Sequence, residues 1–135
     1  MHFVTGGAFN GKRKWVSRQY PNAKWISAYK DEPLPEDLST HSFSSIILEG
    51  LEIWVKNFSS RDEGKDTFRR LLQWEEEDDT RRVIIIGTDI SKGIVPMEKE
   101  NRAWRDMTGW VYQDAVALSE QVDIIWYGIN QRIKG

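Results

Sequence analysis

The 135-residue chain has no cysteine. That excludes disulfides, thiolate catalysis and cysteine-held zinc, and it fits a reducing compartment, so a cytoplasmic location is expected. Only two histidines are present, His2 and His41, which leaves little material for a histidine metal cage. Apolar runs are short, Val83–Ile86 being among the longest. The start of the chain lacks a basic segment followed by an apolar stretch. Neither a signal peptide nor a membrane span is expected. An excess of basic charge is also missing: the net charge is −2 and the Lys and Arg residues are spread along the chain. Nucleic acid is therefore not an expected partner. One domain over residues 1–135 is expected, large enough to bury a core without covalent staples.

What the chain does have is a glycine-rich turn after a short apolar strand. Gly6-Gly7-Ala8-Phe9-Asn10-Gly11-Lys12-Arg13 meets seven of the eight positions of the phosphate-binding pattern G-x-x-x-x-G-K-[ST]. Successive backbone N–H groups of such a turn curl around a phosphate while the lysine reaches its outer oxygens. The eighth position carries Arg13, which has no oxygen to offer a metal. The turn thus points to anion binding more strongly than to metal-assisted phosphoryl transfer. Seven Trp and four Tyr supply core and interface, with a minority available to stack on a base.

Along the chain, Phe3–Thr5 reads as a first strand, Lys14–Tyr20 as a helix ended by Pro21-Asn22, and Lys24–Tyr29 as a second strand. A polar loop fills residues 30–42. Ser45–Glu49 reads as a buried strand delivering Glu49 to its C-terminal edge. A helix over Leu51–Phe58 follows, then one capped by Ser59-Ser60 and running through Phe68, Leu71 and Leu72 towards Trp74. Glu75–Asp79 reads as a solvated acidic tail. Val83–Ile86 is the clearest buried strand, and a loop spans Gly87–Pro96. Trp104, Met107, Val111, Ala115 and Leu118 mark one face of a long helix. Val122–Tyr127 and a short element with Arg132-Ile133-Lys134 close the chain. Strands alternating with helices indicate an α/β domain on a mostly parallel sheet, whose C-terminal rim gathers Gly6–Lys12, Glu49 and Asp89.

These segments together resemble the bifunctional adenosylcobinamide kinase / adenosylcobinamide-phosphate guanylyltransferase family of cobalamin synthesis. The family's opening T-G-G-A-R-S-G-K-S is similar to Thr5–Arg13, and its L-L-E to Ile47-Leu48-Glu49. Its N-E-V-G-x-G-I-V-P loop is similar to Thr88–Pro96, with Gly93-Ile94-Val95-Pro96 identical. Its R-x-x-R-D-x-x-G-R-x-N-Q helix is similar to Arg102–Gln113. The resemblance implies a three-layer P-loop NTPase-like fold, ATP or GTP with magnesium as cofactors, a corrinoid substrate and a homo-oligomer.

Several positions depart from the family. Arg13 replaces the hydroxyl of the magnesium site, Thr88-Asp89 replaces the N-E pair, and the segment that carries the family's guanylylated histidine shrinks to residues 30–43. His2 reads as a surface residue, and His41 is not in the family's context.

The expected catalytic residues are Lys12, Glu49 and Asp89, with Gly6, Gly7, Ala8, Phe9, Asn10, Gly11, Lys12 and Arg13 binding the nucleotide; the metal ligands stay unknown. Lys12 cradles phosphate, and Glu49 or Asp89 orients metal-bound water or accepts a proton from a substrate hydroxyl. Arg13 either adds its cation to a phosphate or points to solvent. Glu49 has a structural alternative as a cap of the next helix, and Asp106 reads as a helical partner of Arg102. Gly93–Pro96 reads as a turn beside the ligand. The kinase step is expected, and the guanylyl step, which needs an activated histidine, is doubtful. The alternative is a catalytically degenerate nucleotide- or corrinoid-binding protein; a third reading is a P-loop enzyme for another hydroxylated substrate.

Overall fold

A computed structural model describes residues 1–39, 42–90 and 99–135, without the side chains of residues 99 and 100. Six strands form one sheet in the order β2-β3-β4-β1-β5-β6. They are β1 (His2–Gly6), β2 (Lys24–Ser27), β3 (Ser45–Glu49), β4 (Arg82–Thr88), β5 (Gln121–Trp126) and β6 (Ile129–Lys134). β1 to β5 run parallel, and β6 returns antiparallel along β5. The helices are α1 (Lys12–Gln19), α2 (Leu51–Trp54), α3 (Arg61–Glu76) and α4 (Lys99–Leu118). The expected α/β architecture is thus present.

The uniform apolar strands are explained by helices on both sheet faces. Phe3, Leu48 and Ile85 pack with Phe68, Leu71, Trp74, Val111 and Ala115 under α3 and α4. Val4, Ile47, Ile84 and Ile86 pack with Val16 under α1. Ile46, Ile47, Ile84 and Val83 are wholly excluded from solvent, and each such side chain is worth about 1.5–3 kcal/mol of transfer free energy. Ser60 caps α3 by accepting the Glu63 N–H at 3.3 Å. The Glu63 carboxylate reaches back to the Ser59 N–H at 2.7 Å. This reciprocal pair fixes where the helix starts.

Several sequence expectations are corrected. β2 stops at Ser27 because the Ser27 hydroxyl accepts the Tyr29 N–H at 3.2 Å and turns the chain into a 3-10 turn over Ala28–Lys30. The helix expected over Leu51–Phe58 is α only to Trp54 and tightens to 3-10 over Val55–Asn57. Glu75 is not part of a solvated tail: it accepts the Val83 N–H at 2.7 Å and the Met1 amino group at 2.6 Å. His2 is not a surface residue. It is 1 % exposed, within 2.6 Å of Asp123 and 2.7 Å of the Tyr20 hydroxyl. Asp106 stays exposed, and among the described residues no ion pair joins it to Arg102. His41 and the Gly93–Pro96 turn lie outside the described residues.

Candidate functional site

The phosphate-loop sequence forms a tight turn between β1 and α1. Gly6 adopts φ 151°, and a Cβ there would stand 2.5 Å from the Ile125 carbonyl oxygen. Gly11 caps α1 in the left-handed region at φ 87°, a conformation that costs side-chain-bearing residues energy. The Gly128 N–H donates to the Asn10 carbonyl at 2.8 Å, so the β5–β6 turn braces the loop tip. Phe9, at φ 62°, projects fully into solvent. The unsatisfied N–H groups at the start of α1 and the helix dipole give this end an affinity for anions.

Beside the loop lies a cavity of about 870 Å³, lined by Ala8 to Lys14, Ser17, Tyr29, Glu49, Glu52, Ile86 and Thr88. Lys12 Nζ donates to the carbonyls of Gly6 at 3.2 Å and Gly7 at 2.8 Å. Burial pushes the ammonium below its ordinary pKa, against the opposing pull of Glu52, Glu49 and Asp89. An incoming phosphate competes with two neutral carbonyls for this cation, and charge-assisted hydrogen bonds are roughly twice as strong as neutral ones.

The sequence places Glu49 correctly at the C-terminal edge of β3, but not as a helix cap. Gly50 holds the N-cap of α2 without a side-chain bond. Glu49 instead accepts the Ser27 hydroxyl at 2.7 Å and faces Arg13 Nε at 3.7 Å. Arg13, half-exposed, also lies 5.2 Å over the Trp25 ring. The arginine that replaces the hydroxyl is therefore turned toward the cavity side of β3 and not out to bulk solvent alone.

Asp89 is brought to the same rim by its N–H, which donates to the Gly6 carbonyl at 2.8 Å. It lines a separate, neighbouring cavity. Lys12, Arg13 and Glu49 are thus together, while Asp89 stands across the end of β4 from them.

Sequence reasoning missed Glu52, Tyr29 and Thr88. Glu52, 4 % exposed, accepts the Thr88 N–H at 3.0 Å and the Tyr29 hydroxyl. Burial and the adjacent Glu52 carboxylate push the Tyr29 phenol well above its usual range, so Tyr29 stays a donor at any working pH. A carboxylate one turn beyond Glu49 on an apolar helix was the available signal.

A family model for cobinamide kinase / cobinamide phosphate guanyltransferase matches residues 13–133. The chain belongs to this family. Its members are kinases and guanylyltransferases of cobamide synthesis that use nucleotide and corrinoid substrates. The matched stretch begins at Arg13, so the loop Gly6–Lys12 lies outside it and stands on its own geometry. No curated protein matches the chain. Among the described residues, no helix is long and apolar enough to cross a membrane.

Proposed function

We propose that this family member binds ATP or GTP over Gly6–Arg13 and transfers the γ-phosphoryl group to the hydroxyl side arm of adenosylcobinamide. The observation that carries the reading is the cavity itself, which combines the loop, the α1 N-terminus, Lys12 and the buried carboxylate Glu49. The hydroxyl oxygen of the arm forms a bond to the γ-phosphorus, and the bond from that phosphorus to the bridging oxygen breaks. The nucleoside diphosphate leaves, and the hydroxyl proton passes to Glu49 or Asp89 and then to water. Positioning and charge neutralisation provide most of the rate in such transfers. Lys12 and Arg13 provide cations, and the α1 amides orient the phosphates.

The donors also suit a magnesium ion carried on the triphosphate. Magnesium keeps several waters and needs only one or two carboxylates. Glu49 is the nearest candidate ligand, although no group of three carboxylates or histidines occurs among the described residues. Such an ion supplies further neutralisation of the phosphate oxygens. The guanylyl half of the family chemistry receives no support from His2, which is buried and held on both ring nitrogens.

A second reading, a nucleotide- or corrinoid-binding protein without turnover, is favoured by Arg13 at the hydroxyl position. Both readings predict that Lys12→Ala weakens triphosphate binding by roughly ten- to a hundredfold, from a charge-assisted contact worth about 1.5–3 kcal/mol. Calorimetry checks this, and unchanged affinity removes the phosphate site. Magnesium-dependent phosphorylation of adenosylcobinamide by the native protein separates the readings: its presence supports the kinase, and its absence with intact nucleotide binding supports the binding protein.

A further inference from the structure

Arg13 stands where phosphate loops carry a serine or threonine. In NTPases with such a loop, that hydroxyl and an acidic residue hold magnesium between them. The hydroxyl position is here an arginine, and the acidic residue it meets is Glu49, at the C-terminal edge of β3: Arg13 Nε lies 3.7 Å from Glu49 Oε2. The pair of positions that elsewhere grips a metal is thus bridged by a side chain of the protein itself.

The bridge is loose. A separation of 3.7 Å is too long for a hydrogen bond, so charge alone holds it. The Arg13 side chain is 55 % exposed against 5 % for Glu49, and exposed charges pair weakly in water. The guanidinium also lies 5.2 Å over the Trp25 ring, which steadies it at the cavity wall without tying up its donors. A phosphate offers the planar fork two parallel charge-assisted bonds, a stronger hold than either. Glu49 accepts the Ser27 hydroxyl at 2.7 Å in any case, so a turn of Arg13 towards phosphate does not strip the carboxylate of hydrogen bonds. Charge points the same way. Among the described residues that line this cavity, Lys12 and Lys14 balance Glu49 and Glu52, which makes Arg13 the surplus cation.

We infer that Arg13 is a tethered cation that trades Glu49 for a phosphate oxygen of the nucleotide, so that nucleotide binding by this chain depends little on divalent metal. The inference rests on the nucleotide-binding reading above. Magnesium carried on the triphosphate reaches Glu49 only in competition with the guanidinium, and the neutralisation it offers is in part already supplied.

The test measures ATP and GTP affinity by calorimetry, in magnesium and in EDTA, for the native protein, Arg13→Ser and Arg13→Gln. The native affinity should change by less than about threefold between the two conditions. Without metal, both variants should bind roughly tenfold or more weakly, the loss of one charge-assisted contact. Arg13→Ser, which regains a metal-binding hydroxyl, should recover most of that loss in magnesium, whereas Arg13→Gln should not. On saturating the native protein with metal-free ATP, the NMR signal of the Arg13 Nε–H group should move. The same magnesium dependence in the native protein and Arg13→Ser, or an Arg13 Nε–H signal that stays in place, overturns the inference and leaves the phosphate site standing. No binding of either nucleotide by the native protein, with or without magnesium, removes the phosphate site and the inference with it.

Discussion

Two polar regions flank the same central strand, and they treat their buried groups in opposite ways. Below, around His2, every group is matched. Asp123 accepts from His2 at 2.6 Å, Asn130 at 3.1 Å, Arg132 Nε at 3.3 Å and Gln121 at 3.3 Å. Because a carboxylate only accepts, His2 Nε2 carries the proton and Nδ1 receives the Tyr20 hydroxyl. Arg82 lends its positive charge beside Tyr20. Above, at the rim, Lys12 is parked on two neutral backbone carbonyls beside an open cavity. A satisfied network fixes the fold, whereas a cation held only by neutral carbonyls can exchange them for the stronger, charge-assisted bonds of a phosphate. The contrast explains why the buried histidine is structural and the buried lysine is not.

The largest expected effect breaks the lower region. Asp123→Ala removes a wholly buried carboxylate that several groups share as acceptor, leaving the buried His2 N–H unpaired while the exposed Asn130 amide turns to water. A stranded buried donor costs about 1–3 kcal/mol and the charge-assisted bonds given up add to it, so a loss of about 3 kcal/mol is expected in urea unfolding. Once folded, the variant should bind nucleotide as before. A stability loss under 1 kcal/mol would remove the network's claim to hold the fold.

The next prediction concerns pH. Burial pushes the His2 imidazole below its ordinary value of 6.5, against the pull of Asp123 and with Arg82 and Arg132 opposing protonation. Below about pH 6.5 the unfolded chain takes up a proton that the folded chain refuses, so stability falls as pH decreases through that window. Burial also raises the Asp123 carboxyl, but hydrogen bonds from Asn130, His2, Arg132 and Gln121 outweigh it and hold it below 3.8. That contribution is lost only in stronger acid. Thermal unfolding between pH 7 and 5 should show a declining Tm in the native protein and a flatter profile in His2→Gln. Parallel profiles would assign the decline to other groups.

How much of this was legible beforehand follows from the distance between partners. The parallel sheet was readable because Val83–Ile86 and Ser45–Glu49 are apolar without alternation, which only a strand covered on both faces tolerates. Lys12 was readable from the glycine-rich turn that precedes it, and Glu49 because it ends a strand. The roles of His2 and Glu75 were not, since their partners are set by sheet register: Asp123 lies far along the chain, and the acceptor for the Val83 N–H could have been any of five acidic residues. Glu52 was hidden by standing inside an apolar helix.

The smallest effect sharpens the comparison at the level of one hydroxyl. Tyr20 and Tyr29 each donate to a buried group, His2 Nδ1 and Glu52 respectively. Tyr29 is 52 % exposed and Glu52 keeps the Thr88 N–H at 3.0 Å, so water from the cavity can replace the lost phenol. Tyr29→Phe should therefore cost less than about 1 kcal/mol, whereas Tyr20→Phe strands a buried ring nitrogen and should cost about 1–3 kcal/mol. Saturating nucleotide adds a second discrimination. Ligand that binds only the folded state raises stability by mass action, and the increment should be the same for Tyr20→Phe as for the native protein. It should be smaller for Tyr29→Phe, whose lost hydroxyl borders the nucleotide cavity. Equal increments in all three proteins would mean that Tyr29 merely walls the cavity, and a larger loss from Tyr29→Phe than from Tyr20→Phe without ligand would reverse the assignment of the two regions.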